Sequence, residues 1–279
     1  MSGSLPRSAT RPRRAVGSGV WLCAVCVFMV LPLAIIVVSS FSAVSYGAWP
    51  PPAYSLQWYR NLLGQPGLVE AALLSVRVAG LTTVLTTLLG LGVAVALTRH
   101  RFIGRRLTEG LTFAPIVVPK VALGFAIFIY LNRTGLYGEG TLGLVAAHVV
   151  ITLPFASTLL TAALVRADVD TEAAARDLGA HPLRAFAAAT LPQIRPALVA
   201  TALFAFILSF DEVDASVFLL PIDRQTLPVW MYTYMQQYQD PTLAALSALL
   251  IGASLAVALV AATILRRSGV LAVLVRRGR

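Results

Sequence analysis

Charged residues are scarce in this chain of 279 residues. Asp, Glu, Lys and Arg together make up only 12% of it and 58% is hydrophobic, whereas roughly a quarter of a soluble globular domain is charged. The mean hydropathy is +0.80. This composition excludes a large soluble domain and predicts a membrane protein with several spans.

Lysine is almost absent, since Lys120 is the only lysine among 22 basic residues. The formal net charge of +10 could indicate nucleic-acid binding. The arginines, however, lie in short clusters between long apolar runs, which is the pattern of loops that connect membrane spans. We therefore expect lipid, and no nucleic acid, as a partner.

Motifs of enzymes and metal sites are also missing. Cys23 and Cys26 have no further cysteine or nearby histidine beside them, so their spacing predicts neither a zinc site nor a redox pair. The chain contains no phosphate-binding G-x-x-x-x-G-K-[ST] loop, no H-E-x-x-H and no G-x-S-x-G. We expect no bound cofactor, no metal and no catalytic residue, and we expect His148 to hydrogen-bond between helices.

Six apolar runs of membrane-spanning length are present. They lie at 20–38, 78–97, 111–131, 141–165, 196–219 and 243–265. The first run is also compatible with a signal peptide, but it is longer than the usual 7–15 apolar residues, so an uncleaved helix is favoured. We divide the chain into a tail (1–19), a first transmembrane helix (20–40), a transmembrane domain (69–265) and a second tail (266–279).

The arginines are distributed unequally between the two sides that six spans would define. Seventeen lie in the two tails and in the loops after the second and fourth spans, and four lie on the opposite side. Because basic residues accumulate on the cytoplasmic side, both termini and the loop 168–192 are predicted to be cytoplasmic.

The loop 168–192 begins with the signals of a short helix. Asp168 or Asp170 can cap its N-terminus, and Glu172 follows in the first turn, where the helix dipole favours a carboxylate. Gly179 can end the helix in the left-handed conformation. The segment therefore predicts a capped helix at 168–179.

A second short helix is predicted from Pro182, a residue suited to the first helical position, to Leu191-Pro192, which would end it. Between the caps of the first helix lie Ala173–Ala175, which leave a smooth helix surface. Such a surface suits docking into a groove on a soluble partner. An ordinary polar loop is the alternative.

The stretch EAAARDLG, followed after nine residues by Ala-Thr-Leu-Pro, resembles the EAA loop of permease subunits of bacterial ATP-binding-cassette (ABC) importers. The resemblance departs at Ala173, where that family has glutamate, and at Ala189, where it has isoleucine. It implies an ATPase-coupling role for seven residues: Glu172, Ala174, Ala175, Asp177, Gly179, Leu191 and Pro192.

This resemblance implies an all-α fold of the type I ABC importer permease (MetI-like) class, with six transmembrane helices and a cytoplasmic coupling helix. The expected partners are a second permease subunit, two ATP-binding subunits that hold ATP and Mg, and an extracytoplasmic solute-binding protein. The expected location is the bacterial inner membrane.

Four further segments, 40–63, 148–156, 209–219 and 226–247, resemble spermidine/putrescine-type permeases. They imply a polyamine as the solute. An aminophosphonate, iron or another small ion is the alternative.

Three carboxylates, Asp211, Glu212 and Asp214, fall about 15 residues into the fifth run, roughly 20 Å along a helix. Asp211 and Asp214 are expected to share a helix face. The carboxylates either attract a cation on the translocation path or lie at its mouth, solvated or paired with arginine. A membrane enzyme that uses them as acid and base is a distant alternative.

Two other groups of residues are candidates for the path. Lys120 either lines the path, paired with the carboxylates of the fifth run, or extends its ammonium group to the membrane surface. Trp230 and Tyr234 either hold an ammonium group by cation–π contact or belong to the interfacial aromatic belt.

Overall fold

The computed structural model describes residues 13–45, 49–135, 137, 141–220 and 223–267. Twelve α-helices occur in this part of the chain, and a π-helical turn, Phe186–Thr190, lies between the eighth and ninth. The helices are α1 (Arg13–Ser39), α2 (Gln57–Leu63), α3 (Leu68–Arg99), α4 (Arg105–Val117), α5 (Lys120–Arg133), α6 (Leu142–Arg166), α7 (Val169–Asp177), α8 (Pro182–Ala185), α9 (Leu191–Phe210), α10 (Ser216–Leu219), α11 (Leu227–Gln237) and α12 (Thr242–Arg267).

The all-α prediction is confirmed for this part of the chain, where the only β-type pairing is an isolated bridge between Ser42 and Tyr54. Helix α1 begins inside the predicted tail 1–19. Most of the predicted tail 266–279 lies outside the described residues.

Four helical segments are long and apolar enough to cross a membrane, namely Gly19–Ser39, Leu68–Arg99, Leu142–Arg166 and Pro182–Phe210. A fifth is obtained if α4 and α5 are counted as one broken span. The sixth predicted span corresponds to α12, whose apolar stretch Thr242–Val257 is shorter. A count of six spans therefore remains a prediction.

The third predicted span, 111–131, is not one helix. Helices α4 and α5 meet at an angle of 110°. Val118 is extended (φ −82°, ψ 129°), as expected for a residue before proline, and Pro119 caps α5. Pro115, in contrast, lies within α4.

The predicted stop at Leu191-Pro192 is wrong, because helical structure continues from Pro182 to Phe210. Pro192 has no N–H, and its ring would collide with a carbonyl one turn earlier in a regular α-helix. The chain instead widens to a π-helical turn, in which the N–H of Leu191 bonds to the carbonyl of Phe186.

The fifth predicted span, 196–219, is also interrupted. Helix α9 ends at Phe210, and Asp211 occupies its C-cap. A turn then leads to α10. The expectation that Asp211 and Asp214 share a face of one helix is therefore wrong.

The chain divides into two compact units, one of which runs from Pro66 to Thr233. Its centre is α3 packed against α6 and α9. Helix α3 presents small residues at helical spacing, among them Ala79, Thr86 and Ala94, all buried. Small residues let membrane helices approach closely. The buried hydroxyls of Thr86 and Thr152 are 2.7 Å apart and join α3 to α6.

The other unit comprises Met1–Gln65 and Tyr234–Arg279. Within its described residues, α12 packs against α1 and α2. The amide of Asn61 donates to the hydroxyl of Thr242 at 2.8 Å, and the indole of Trp58 donates to the carbonyl of Ser42 at 2.7 Å.

Gly90 supplies a test of the contact between α3 and α6. A Cβ atom added there would lie 2.9 Å from the Cβ of Ala156 and 3.3 Å from its carbonyl carbon. We expect Gly90→Ala to lower the free energy of unfolding by about 1–3 kcal/mol, because two backbones must separate. Thermal unfolding of the purified protein measures this effect.

Gly80→Ala is the matched control. Gly80 lies on the same helix as Gly90, and a Cβ atom there meets nothing within 4 Å. We expect this variant to unfold at the wild-type temperature or above, since alanine favours a helix by about 1 kcal/mol over glycine. Equal destabilisation by the two substitutions would contradict the packing described.

Candidate functional site

The N-terminus of α7 is capped by Asp168 and not by Asp170. The Asp168 carboxylate accepts from the N–H of Asp170 at 2.9 Å and from the hydroxyl of Thr171 at 2.9 Å. The hydrogen bonds from Thr171 and Asp170 lower the pKa of this carboxyl group. The cap therefore stabilises the start of the helix in its ionised form.

Helix α7 ends two residues before Gly179, which stops the helix as the sequence predicts. Gly179 has a φ of +87°, and its N–H bonds to the carbonyl of Arg176 at 2.9 Å. The N–H of Ala180 bonds to the carbonyl of Ala175 at 3.1 Å. This pair of bonds is the Schellman motif, which requires the left-handed conformation at Gly179.

Glu172 fastens α7 to the π-helical turn before α9. It is only 8% exposed. One carboxylate oxygen accepts from the hydroxyl of Thr190 at 2.5 Å, and the other lies 3.0 Å from the guanidinium of Arg176. A buried carboxylate is costly unless it is satisfied in this way.

Gln193 makes a second link that the sequence did not indicate. Its side-chain carbonyl accepts from the N–H of Asp168 at 2.9 Å, and its amide donates to the carbonyl of Ala189 at 3.0 Å. Because Gln193 directly follows Leu191 and Pro192, the start of α7 is joined to the first turn of α9. Helix α7 and the base of α9 are therefore joined by side-chain hydrogen bonds at two points.

The outer face of α7 is smooth and uncovered in the isolated chain. Ala173, Ala174 and Asp177 are exposed, and Ala175 is partly exposed. Leu178 is 90% exposed directly after the helix, and Leu183 is 74% exposed at the start of α8. Small side chains flanked by exposed leucines form a surface that can dock on another protein.

Beyond the other end of α9, Glu212 pairs with Lys120. The Glu212 carboxylate lies 2.8 Å from the Lys120 ammonium group and also accepts from the N–H of Ala215 at 3.1 Å. The side chain of Glu212 is 2% exposed, and that of Lys120 is 46% exposed. Asp211 and Asp214 are exposed, so only one of the three predicted carboxylates is buried.

His148 forms hydrogen bonds between helices, as the sequence predicts, and connects α6 to the region around Glu212. Its Nδ1 lies 2.7 Å from the hydroxyl of Ser209, and its Nε2 lies 2.9 Å from the hydroxyl of Ser216. The hydroxyl of Ser216 in turn donates to the carbonyl of Glu212 at 2.8 Å. The two serines were not among the predicted site residues, because isolated serines in apolar runs carry no distinctive signal.

A close backbone contact holds α5 beside the same turn. A Cβ atom at Gly124 would lie 2.6 Å from the Cα of Ala215. Gly124 is one turn after Lys120, so the packing contact and the ion pair join the same two segments.

Trp230 and Tyr234 both have protein partners. The indole N–H of Trp230 approaches the carbonyl of Pro66 at 3.4 Å. Tyr234 is 6% exposed, its hydroxyl donates to the carboxylate of Asp240 at 3.0 Å, and its ring lies 4.6 Å from that of Tyr238. These contacts favour a structural role over the cation–π interpretation.

The fold is that of the transmembrane subunit of a transporter. Residues 87–270 match the family of binding-protein-dependent transport system inner membrane components, and the chain belongs to that family. The predicted recognition as an ABC importer permease is therefore confirmed, and the chain is a transport subunit rather than an enzyme.

Two curated relatives are polyamine permeases. The chain is 29% identical to the spermidine/putrescine transport system permease protein PotC of Haemophilus influenzae, over 86% of this chain and 93% of the relative. It is 30% identical to the putrescine transport system permease protein PotI of Escherichia coli, over 81% and 82%.

A solved structure supports the fold. A chain of a bacterial ABC transporter involved in the import of the acidic polysaccharide alginate superimposes with a TM-score of 0.67 at 17% identity. The match covers 94% of this chain and 99% of the other.

Thr190→Val tests the link between α7 and α9. The substitution keeps the side-chain shape but removes the hydroxyl that donates to Glu172. We expect a loss of about 1–3 kcal/mol in the free energy of unfolding, because a buried carboxylate oxygen loses its donor. A lower midpoint of thermal unfolding is the measured result.

Thr112→Val is its control, since the buried Thr112 hydroxyl donates only within α4, to the carbonyl of Thr108. We expect a much smaller change for this variant. If the two variants unfold at the same temperature, the Glu172–Thr190 bond does not hold the loop.

Proposed function

We propose that this chain forms half of the translocation path of an ATP-driven importer and is coupled to a separate ATPase through α7. The observation that carries the proposal is the pair of hydrogen-bonded links, through Glu172 and Gln193, that join α7 to the base of α9. A force applied to the exposed face of α7 is transmitted to α9 without bending the loop. We therefore keep the seven predicted residues as the proposed coupling residues. Among them, Glu172 is buried and acts by joining α7 to Thr190.

The remaining arrangement follows the family. A second permease subunit completes the path, two ATP-binding subunits bind ATP and Mg, and an extracytoplasmic binding protein delivers the solute. We place the chain in the inner membrane with six spans and both termini in the cytoplasm, in agreement with the excess of arginine on one side.

For the solute, we propose a polyamine. The support is the identity to the two polyamine permeases and the presence of Glu212, a buried carboxylate beyond α9 that holds an alkylammonium group. Lys120 occupies that position in the isolated chain, and its butylammonium side chain resembles one end of a diamine. Asp211 and Asp214 add two exposed carboxylates nearby in the chain.

One observation favours the alternative solute class. The Lys120 side chain is almost half exposed, so its ammonium group can also meet an anionic group. A 25% identical relative is the sulfate transport system permease protein CysT of Salmonella typhimurium. A zwitterion such as an aminophosphonate fits an exposed ammonium beside a carboxylate.

Gly179→Val tests the coupling role. A β-branched residue at a φ of +87° is strained by about 1–3 kcal/mol, so the end of α7 must change its course. We expect uptake to be abolished although the protein still inserts into the membrane. The measurement is solute uptake by cells or vesicles that contain the complete transporter, at equal permease levels.

Gly179→Asn is the matched control, because asparagine tolerates the left-handed conformation. We expect it to retain most of the uptake. Wild-type uptake by the valine variant would show that this helix end does not transmit motion.

A second experiment tests Glu212 as a solute contact. We expect Glu212→Gln to lower uptake of radiolabelled putrescine at least about tenfold, because a charge-assisted hydrogen bond is lost. The double variant Lys120→Met/Glu212→Gln removes both charges, so no unpaired charge remains buried and assembly should recover. Its uptake should stay low.

Recovery of wild-type uptake in the double variant would assign a purely structural role to the ion pair. Asp211→Asn/Asp214→Asn is a parallel variant, since it removes two exposed carboxylates and leaves the pair intact. A loss of putrescine uptake there would extend the site to these residues, and unchanged uptake would place them at the mouth.

A further inference from the structure

A cavity of about 660 Å³ lies between the C-terminal end of α3 and the segments α7 and α8. The contacts that join α7 to α9 do not fill it. One wall is the face of α3 from Leu88 to Arg99, and the other is formed by α7, α8 and Phe186.

The lining of the cavity is divided along α3. From Leu88 to Val95 the wall is apolar, and Leu183 and Phe186 extend that apolar surface on the other side. The polar end is basic, with Arg99 and its neighbour His100. The apolar wall and the basic end together span about 16 Å, the length of eleven helical residues.

Arg99 carries the electrostatic part of the argument. Its Nε and Nη2 atoms are buried and have no hydrogen-bond partner among the described residues. Buried guanidinium nitrogens without an acceptor are costly, and nearly all buried polar groups in proteins find partners. In contrast, Arg176, also at the cavity, already pairs with Glu172. The Arg99 guanidinium therefore has two donors for which the described part of the chain provides no acceptor.

The length of α3 locates this end of the cavity in the membrane. Helix α3 has 32 residues and is about 48 Å long, whereas the hydrocarbon core of a bilayer is about 30 Å thick. The last turn of α3, with Arg99, therefore reaches the headgroup region while Leu88 remains at the level of the acyl chains. Under the proposed topology this is the cytoplasmic leaflet, where anionic lipids attract basic residues.

We propose that this cavity is a binding site for one anionic phospholipid. The phosphate pairs with the guanidinium group of Arg99, and an acyl chain lies along Leu88, Leu91 and Val95. An acidic side chain of the ATPase would satisfy Arg99, but it would leave the apolar wall inside the membrane uncovered. The site depends on the proposed orientation, in which the α7 side faces the cytoplasm.

The position of the site gives the lipid a role in coupling. A lipid in this cavity contacts both α3 and α7, the helix that is fastened to α9. Occupancy therefore covers Ala173 and Leu183 from the membrane side, while Ala174, Asp177 and Leu178 remain free for the ATPase. We expect the stimulation of ATPase activity by the loaded binding protein to depend on anionic lipid.

The test uses the complete transporter in nanodiscs of phosphatidylglycerol or phosphatidylcholine with the same acyl chains. After transfer to detergent, native mass spectrometry counts the phosphatidylglycerol molecules that remain bound. We expect Arg99→Gln to reduce the retained phosphatidylglycerol about fivefold, and Arg99→Lys to reduce it less. Phosphatidylcholine retention should be low in all variants.

Arg101→Gln is the matched control, because Arg101 is exposed, lies two residues away and does not line the cavity. It should retain the wild-type amount of phosphatidylglycerol. Equal loss in the two glutamine variants would reveal general surface attraction and overturn the proposal. Loss of the ATPase subunits with unchanged lipid, in Arg99→Gln alone, would identify an acidic side chain of the ATPase as the occupant.

The outcome is independent of the transport proposal. Wild-type transporter without ATP-driven uptake would contradict the proposed function, even if Arg99 retains lipid. Normal uptake in phosphatidylcholine together with unchanged lipid retention in Arg99→Gln would contradict the lipid site alone.

Discussion

The buried carboxylate of Glu172 makes the contacts on which the arrangement of the loop 168–192 depends. It lies one residue before the position that the family pattern assigns to glutamate, yet it reaches both Arg176 and Thr190. Thr190 is available because Pro192 forces the preceding turn into a π-helix. The same proline that was expected to end a helix therefore shapes the surface that holds α7.

Helix α9 connects this contact to the polar cluster of Lys120, Glu212 and His148. Its 20 residues extend about 30 Å from Leu191 to Phe210. Directly beyond it, Glu212 holds Lys120 and the neighbouring serines hold His148. We propose that a displacement of α7 is transmitted along α9 to this charged pair between α5 and the turn after α9, and that ATPase docking is linked to the path in this way.

The sequence predicted the features that depend on neighbouring residues. The Asp168 cap and the left-handed Gly179 follow from rules that act within one turn. The break at Pro119 and the end of α9 at Phe210 were missed, because the third and fifth runs were each interpreted as one continuous helix although Pro119 and the carboxylates after Phe210 lie at these points. Contacts between residues distant in sequence then join the two interrupted segments: Lys120 meets Glu212, and Gly124 meets the backbone of Ala215. The bond of Gln193 to Asp168 and the bond of Thr190 to Glu172 likewise join residues 25 and 18 positions apart in the sequence.

Lys120 is the first residue of α5, where the positive end of the helix dipole disfavours an ammonium group. The ion pair with Glu212 therefore explains why a lysine occupies this position, because the helix dipole of α5 does not favour it. Glu212, in turn, is held by the N–H of Ala215 and cannot turn away from the cation. A solute ammonium that takes the place of Lys120 leaves a free cation at the helix end. We propose that a solute charge can displace one partner of this ion pair, which joins the start of α5 to the turn after α9.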